Sequence, residues 1–225
     1  MYGTAIHEGL YVLFEALRRG KKANKKTAVQ AFITSFEKFP LSKSVFEQYK
    51  EKGVQALSGY YARYHTSWST NVLLEFPIGG VFTKENIRLT GKLDKIEFLG
   101  EGNKVNVIDY KTGKHHSRNH LEGKTKGGSG NEKRQLVFYK LLLDLFSKNR
   151  FDMISGIIDF VEPDERGKYH REQFFITNEE EKSLSELLEE KVSEILSFSF
   201  WNKTCGKKDC EYCIIRKLTG AKLVG

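Results

Sequence analysis

Two carboxylates and a lysine near the middle of the chain have the spacing of a metal-dependent hydrolytic site. Asp109 and Lys111 are two residues apart in the apolar segment 107–111, and side chains two apart on a strand point to the same face. Asp94 precedes them, and a hairpin through residues 100–103 would bring it beside Asp109. Such oxygen ligands suit Mg²⁺ or Mn²⁺, which can activate a water and neutralise a phosphate. An isolated D-x-K is also typical of a plain surface ion pair.

The hydrophobic pattern predicts the elements that must position these residues. Apolar residues recur at helical spacing over three segments, 4–19, 25–38 and 42–70. Short segments rich in β-branched residues then predict an antiparallel meander over 72–77, 81–83, 87–99 and 104–110, separated by Gly79-Gly80 and Gly100-Glu101-Gly102. Next come a glycine-rich loop at 115–131, a helix at 132–148, strands at 153–161 and 169–176, and a helix from a Thr177 cap to about residue 196.

This order predicts an α/β (α+β) fold in one domain over residues 1–225. Residues 1–70 form its helical portion, 71–198 its catalytic core and 199–225 a cysteine-containing tail.

Composition favours a globular protein with an anionic partner. Of the 225 residues, 39% are hydrophobic and 29% charged, and the net charge is +8 with a pI near 9.2. Nucleic acid is the commonest partner of such a basic chain, although a basic surface can also serve solubility alone. No apolar run reaches the roughly 20 residues of a membrane span, and the first residues lack a signal-peptide pattern. We therefore expect a cytoplasmic protein without membrane contact.

Three further features favour a catalytic role for the D-x-K motif over a plain surface ion pair. The sequence G-K-L-D stands on one predicted strand and I-D-Y-K-T-G-K on the next, Gln135 and Tyr139 share a helix face, and His7 lies in G-T-A-I-H-E on the first helix. In this order the motifs resemble the RecB-like branch of the PD-(D/E)XK nuclease superfamily, from Gly3 to about Ile215. The resemblance implies a restriction-endonuclease-like core, in which a mixed central sheet is flanked by helices.

The resemblance also implies roles for individual residues. Asp94 takes the place of the first metal-binding aspartate, and Asp109 and Lys111 take that of the (D/E)XK pair. The implied metal ligands are His7, Asp94, Asp109 and the backbone carbonyl of Tyr110. A histidine in this position tends to accompany the use of Mn²⁺.

Other residues near the motifs have two interpretations each. By the resemblance, Gln135 and Tyr139 lie near the catalytic lysine and the substrate, but both also fit as packing residues of a helix that covers the sheet. His7 alone would be an ordinary helix residue. Glu75 fits an ordinary strand position better than a further acidic contribution to the site.

Three cysteines are grouped in the tail as Cys205, Cys210 and Cys213. This spacing is typical of metal ligands rather than of a disulfide framework. Relatives hold a [4Fe–4S] cluster with three such cysteines and a fourth near the N-terminus, but this chain has no fourth cysteine. An iron–sulfur cluster is therefore the less expected outcome. A fourth ligand outside the given sequence, a three-cysteine remnant, zinc bound with a histidine or water, and three reduced thiols are the alternatives.

The expected activity is that of an Mg²⁺- or Mn²⁺-dependent deoxyribonuclease, an exonuclease rather than an endonuclease. The resemblance implies action on single-stranded DNA or DNA ends in repair and recombination, as part or partner of a superfamily 1 helicase. The chain itself has no Walker A motif. Predicted DNA contacts lie in or beside the basic loop, at Lys114, Arg118, Lys124, Lys126 and Arg134. The alternatives are an inactive DNA-binding module, a CRISPR-adaptation-type nuclease and an unrelated structural domain.

Overall fold

The computed structural model describes residues 1–147, 149–201 and 203–219. Within them the helices are α1 Tyr2–Arg18, α2 Lys25–Phe36, α3 Lys43–Tyr64, α4 Arg118–Leu121, α5 Asn131–Ser147, α6 Asn178–Leu196 and α7 Glu211–Thr219. The strands are β1 Val72–Phe82, β2 Arg88–Phe98, β3 Lys104–Lys111, β4 Asp152–Phe160 and β5 Arg171–Phe174. The predicted end of the fifth helix at position 148 and the last residues of the tail, 220–225, lie outside the described residues.

The strands form one mixed sheet in the order β1-β2-β3-β4-β5. Strands β1 to β3 are the predicted antiparallel meander, β3 and β4 are parallel, and β5 returns antiparallel to β4. A parallel pair needs a crossover connection, which α5 provides between β3 and β4. The predicted α/β architecture with flanking helices is confirmed.

The sheet separates two hydrophobic cores. On one face, β1 to β5 pack against α5, with Leu136 and Leu142 fully buried. On the other face, α1, α2 and α3 form a second core around Phe14 and Phe32. The alternation of β3 serves both, because Val107 belongs to the α5 core and Ile108 to the α1–α3 core.

Side-chain caps account for several helix starts. The carbonyl oxygen of the Asn24 side chain and the hydroxyl of Ser42 accept backbone N–H bonds at the beginnings of α2 and α3. Thr177 and Glu180 form the reciprocal capping box of α6. The Thr177 cap was predicted from the sequence and is confirmed.

Three local expectations were wrong. Gly79 and Gly80 do not separate two strands; β1 runs through them with a register shift between Gly79 and Val81, because a bulge absorbs the extra residue. The glycine-rich segment is not a plain loop, since it contains α4 with Leu121 fully buried against the α5 core. The tail contains α7, which the sequence pattern did not predict. None of the helices in the described ranges is long and apolar enough to cross a membrane.

Candidate active site

The two aspartates of the motif lie where β2 and β3 stop pairing. Lys95 and Ile108 are the last paired residues of the β2–β3 ladder on this side. Asp94 and Asp109 occupy the next level on each strand, just beyond that pair. The β2–β3 ladder therefore ends at the level of the two carboxylates.

Glu75 adds a third acidic residue at the same level of the sheet. The β1–β2 register pairs Leu74 with Lys95 and Phe76 with Leu93, so Glu75 lies opposite Asp94. The backbone of Glu75 has φ +46°, in the left-handed region that non-glycine residues seldom occupy. Leu74 and Phe76 consequently pack into opposite cores, although residues two apart on a regular strand share a face.

His7 of α1 completes a cluster of potential metal ligands with these carboxylates. One ligand atom each from His7, Glu75 and Asp94 lies within 4.8 Å of the others. The Nδ1 of His7 is 3.4 Å from Oδ1 of Asp94, and its Nε2 is 3.2 Å from the carbonyl oxygen of Tyr110. Asp94 in turn accepts a 2.9 Å hydrogen bond from the N–H of Tyr110. An imidazole with carboxylate and carbonyl oxygens is a donor set that fits Mn²⁺ or Mg²⁺.

The charge around His7 supports cation binding. Burial opposes protonation of its ring, but the hydrogen bond and negative charge of Asp94, with further negative charge from Glu75 and Asp109, outweigh burial and raise the pKa of His7. Lys92, on the rim of the cluster, pairs with Glu75. The cluster thus attracts positive charge, either a proton or a metal ion.

Asp109 belongs to a second group of side chains, held by α5. The side chain of Asp109 is only 2% exposed, and its Oδ2 is 2.6 Å from Nζ of Lys111. Lys111 donates a 2.7 Å hydrogen bond to Gln135, whose amide donates a 2.7 Å bond to the hydroxyl of Tyr139. The Tyr139 hydroxyl donates a 3.0 Å bond to Oδ1 of Asp109 and closes the ring of contacts.

Burial makes the ionised form of Asp109 unfavourable. Burial and the negative charge of Asp94 raise the pKa of Asp109 above its ordinary value, although the positive charge of Lys111 and the hydrogen bonds from Lys111 and Tyr139 act in the opposite direction. The pKa of Tyr139 is raised by burial and by the negative charge of Asp109. Tyr139 is therefore a neutral donor to Asp109, and the carboxylate depends on Lys111 for its counter-charge.

The structure brings together most of the predicted site residues. His7, Asp94 and the backbone of Tyr110 converge as expected, and Asp109 with Lys111, Gln135 and Tyr139 forms the adjacent group. The carboxylate of Asp109 faces Lys111 and Tyr139 rather than the imidazole, so its role as a metal ligand stays a prediction.

Sequence reasoning favoured an ordinary strand position for Glu75, whereas the structure places it beside His7 and Asp94, and its role stays a prediction. Its left-handed backbone conformation has no signature in the sequence. Its level in the sheet can be inferred from the sequence, because Glu75 lies opposite Asp94 once β1 and β2 are aligned as a hairpin.

The predicted DNA contacts are spread along the protein surface, and most have acidic or polar partners. Lys114 pairs with Glu165, and Lys124 pairs with Glu122. The guanidinium of Arg118 donates a 2.8 Å bond to the carbonyl of Gln173 and lies over the ring of Phe174. Arg134 bonds Asn131, and Lys126 is exposed. Their contact with DNA stays a prediction, and Arg118 has a clear second role in fastening the loop to β5.

The tail cysteines converge as their spacing suggested. The three Sγ atoms lie within 4.8 Å of one another, with 3.6 Å between Cys205 and Cys213. All three are free thiols. Binding of zinc or of a cluster at this group stays a prediction.

Comparison with known proteins identifies the class to which this site and fold belong. The family model of the PD-(D/E)XK nuclease superfamily matches residues 1–218, so the chain belongs to that superfamily. Among solved structures it is similar to SSO0001, at 14% identity and a TM-score of 0.38 over 85% of this chain and 74% of that one. It is also similar to a "Putative exonuclease" from Eubacterium rectale, at 9% identity and a TM-score of 0.47 over 98% and 97% of the two chains. No curated protein matches the chain.

Proposed function

We propose that this protein is a divalent-metal-dependent deoxyribonuclease of the RecB-like branch. It hydrolyses phosphodiester bonds of single-stranded DNA or of DNA ends, as an exonuclease. It serves DNA repair and recombination as part or partner of a superfamily 1 helicase. The observation that carries the proposal is the convergence of His7, Glu75 and Asp94 beside the buried Asp109–Lys111 pair. An ordinary surface ion pair has no such neighbours.

The two groups of side chains divide the work. His7, Glu75, Asp94 and the carbonyl of Tyr110 would hold the metal, and Asp109 lies opposite Asp94 at the same level of the sheet. A bound ion would act as a Lewis acid that neutralises charge on the phosphate and lowers the pKa of a water.

Lys111 supplies the fixed positive charge on the other side of the reacting centre. Its ammonium is held between Asp109 and Gln135, so it keeps its position as negative charge develops on the phosphate oxygens. Tyr139 and Gln135 keep Asp109 and Lys111 in place and are positioning residues in this scheme. Hydrolysis then adds one water across the bond between phosphorus and the leaving oxygen.

End-labelled linear DNA and closed circular DNA, each single- and double-stranded, test the proposal with Mn²⁺, Mg²⁺ or EDTA. The wild type is compared with Asp94→Asn and Lys111→Met, and with Lys104→Met, which alters an exposed lysine at the far end of β3. We expect metal-dependent cutting of linear single strands, lost in the two site variants and kept in Lys104→Met.

Other outcomes of this experiment would contradict parts of the proposal. Cutting of circles would show an endonuclease. A folded wild type that binds DNA but never cuts it would instead establish an inactive DNA-binding module.

A further inference from the structure

A cleft opens beside the metal-ligand cluster and is lined by one face of α1. Its volume is about 510 Å³, and its lining includes Thr4, His7 and Tyr11 of α1, with Glu75 and Lys92 opposite. This size is typical of sites that hold a small organic ligand. Tyr11 lies one helical turn beyond His7, so their side chains share a helix face.

Tyr11 differs from the other aromatic residues of α1. Tyr2 contacts the rings of Phe32 and Phe36, and Phe14 contacts Trp68. The ring of Tyr11 has no aromatic partner and its hydroxyl no hydrogen bond within the part of the chain that the structure describes. Tyr11 is partly exposed in the wall of the cleft. The side chain of Tyr11 therefore borders the space that a ligand reaching the metal cluster would occupy.

We propose that Tyr11 is a stacking platform for an unpaired nucleobase of the nucleotide next to the cleaved phosphate. The inference deepens the proposed function and rests on it. Every nucleobase has an aromatic face, whatever the DNA sequence, and stacking on tyrosine is a common way to bind single strands. Bases inside a duplex are already stacked on their neighbours and have no free face. Tyr11 thus selects single-stranded DNA or a frayed end over an intact duplex.

A nucleotide held at Tyr11 would point its phosphate toward the metal-ligand cluster. The His7–Glu75–Asp94 cluster forms the end of the cleft toward the sheet, where a bound metal would receive the phosphate. Glu8 on the same helix and Lys92 on the opposite wall give the cleft mixed charge rather than a basic lining. Affinity for a base in this cleft must therefore come mainly from the aromatic ring.

Two substitutions distinguish the role of the Tyr11 ring from that of its hydroxyl. Tyr11→Phe keeps the stacking face and Tyr11→Leu removes it, while Tyr212→Leu is a matched control at an exposed tyrosine of α7. Binding is measured in EDTA from the quenching of 2-aminopurine in a single-stranded oligonucleotide. Cutting of single-stranded and duplex DNA is measured with Mn²⁺.

We expect Tyr11→Leu to weaken binding of the oligonucleotide about tenfold and to abolish the quenching. The same variant should lower the single-strand to duplex cutting ratio about tenfold. Tyr11→Phe and Tyr212→Leu should match the wild type. A wild type that never cuts, but whose binding and quenching depend on Tyr11, would overturn the nuclease proposal and keep only the stacking of a base on Tyr11. Wild-type cutting, quenching and strand preference unchanged in Tyr11→Leu would overturn the stacking role alone.

Discussion

Asp109 and Lys111 form an ion pair of 2.6 Å in which the acid is almost wholly buried. Because burial already raises the pKa of Asp109, its ionised form depends on the lysine. Lys111→Met should therefore leave a buried, partly protonated acid and remove the charge that faces the phosphate. We expect the cutting rate with Mn²⁺ to fall by about 10²–10³-fold.

The control for this prediction is Lys104→Met, on the same strand but outside the site. Circular dichroism should show both variants folded. A Lys111→Met enzyme with more than half of the wild-type rate would show that the ion pair is structural only.

Glu75 should strengthen metal binding but lower the stability of the metal-free protein through its backbone conformation. Its left-handed conformation costs a non-glycine residue on the order of 1 kcal/mol, and glycine adopts it without strain. We expect Glu75→Gly to raise the free energy of unfolding of the metal-free protein by about 1 kcal/mol. The same variant should bind Mn²⁺ at least tenfold more weakly, as measured by titration calorimetry.

Glu75→Gln separates the two effects, because it loses the charge but keeps the strained backbone. It should lose Mn²⁺ affinity without gaining stability. Wild-type Mn²⁺ affinity in both variants would remove Glu75 from the set of ligands.

Two stacked histidines should make the docking of the basic loop sensitive to pH. The rings of His115, in the loop, and His170 lie 3.8 Å apart between centroids, and Glu172 and Asp164 face their Nε2 atoms. Burial, and then the positive charge of His170, lower the pKa of His115 below its usual value of about 6.5. The folded loop thus binds fewer protons at His115 than the released loop.

The sign of the effect follows from that difference. The neutral ring of His115 stabilises the bound position of the loop fully above pH about 6.5. This stabilisation is lost as the pH falls from there through the lowered pKa of His115. Hydrogen exchange of residues 114–130, corrected for the intrinsic effect of pH, should therefore quicken between pH 7 and 5. His115→Gln should flatten this profile, and a wild-type profile as flat as that of the variant would contradict the prediction.

A fully buried lysine behind the site should be replaceable. The Nζ of Lys95 lies 4.2 Å from the centre of the Phe14 ring and 3.2 Å from a carboxylate oxygen of Glu97, and burial lowers the pKa of Lys95. Glu97 is partly exposed and can be solvated without its partner. Lys95→Met should therefore change the free energy of unfolding by less than about 1 kcal/mol.

The contrast is the buried carboxylate of Asp159, which accepts bonds of 2.6 Å from Tyr60 and 2.7 Å from Arg171. Asp159→Ala leaves the buried hydroxyl of Tyr60 without its acceptor and Arg171 without its counter-charge, and should lower the free energy of unfolding by roughly 3 kcal/mol. Urea unfolding of both variants measures the difference. Equal losses in the free energy of unfolding would show that the interactions of Lys95 stabilise the fold as much as those of Asp159.

The features that could be predicted from the sequence are those set by local pattern. Alternation on β3 placed Asp109 and Lys111 on one face with Val107, and helical spacing placed Gln135 beside Tyr139. Hairpin reasoning brought Asp94 to Asp109. These inferences succeed because strand and helix periodicity act over a few residues.

The features that were missed depend on contacts that local pattern does not encode. Glu75 joins the cluster through a left-handed backbone conformation, which sends Leu74 and Phe76 into opposite cores. The short helix α4 forms inside a glycine-rich segment because Leu121 is buried against the sheet core. The turn of the Asp109 carboxylate toward α5 likewise follows from its contact with Tyr139.

The parallel pairing of β3 with β4 has a consequence for synthesis of the chain. The helix that carries Gln135 and Tyr139 is held over Asp109 by the crossover between these strands, and β4 ends at Phe160. A growing chain therefore lacks the complete set until residue 160 has left the ribosome. A partly made polypeptide should accordingly be harmless to nearby nucleic acid, and activity should arise only once the sheet has closed.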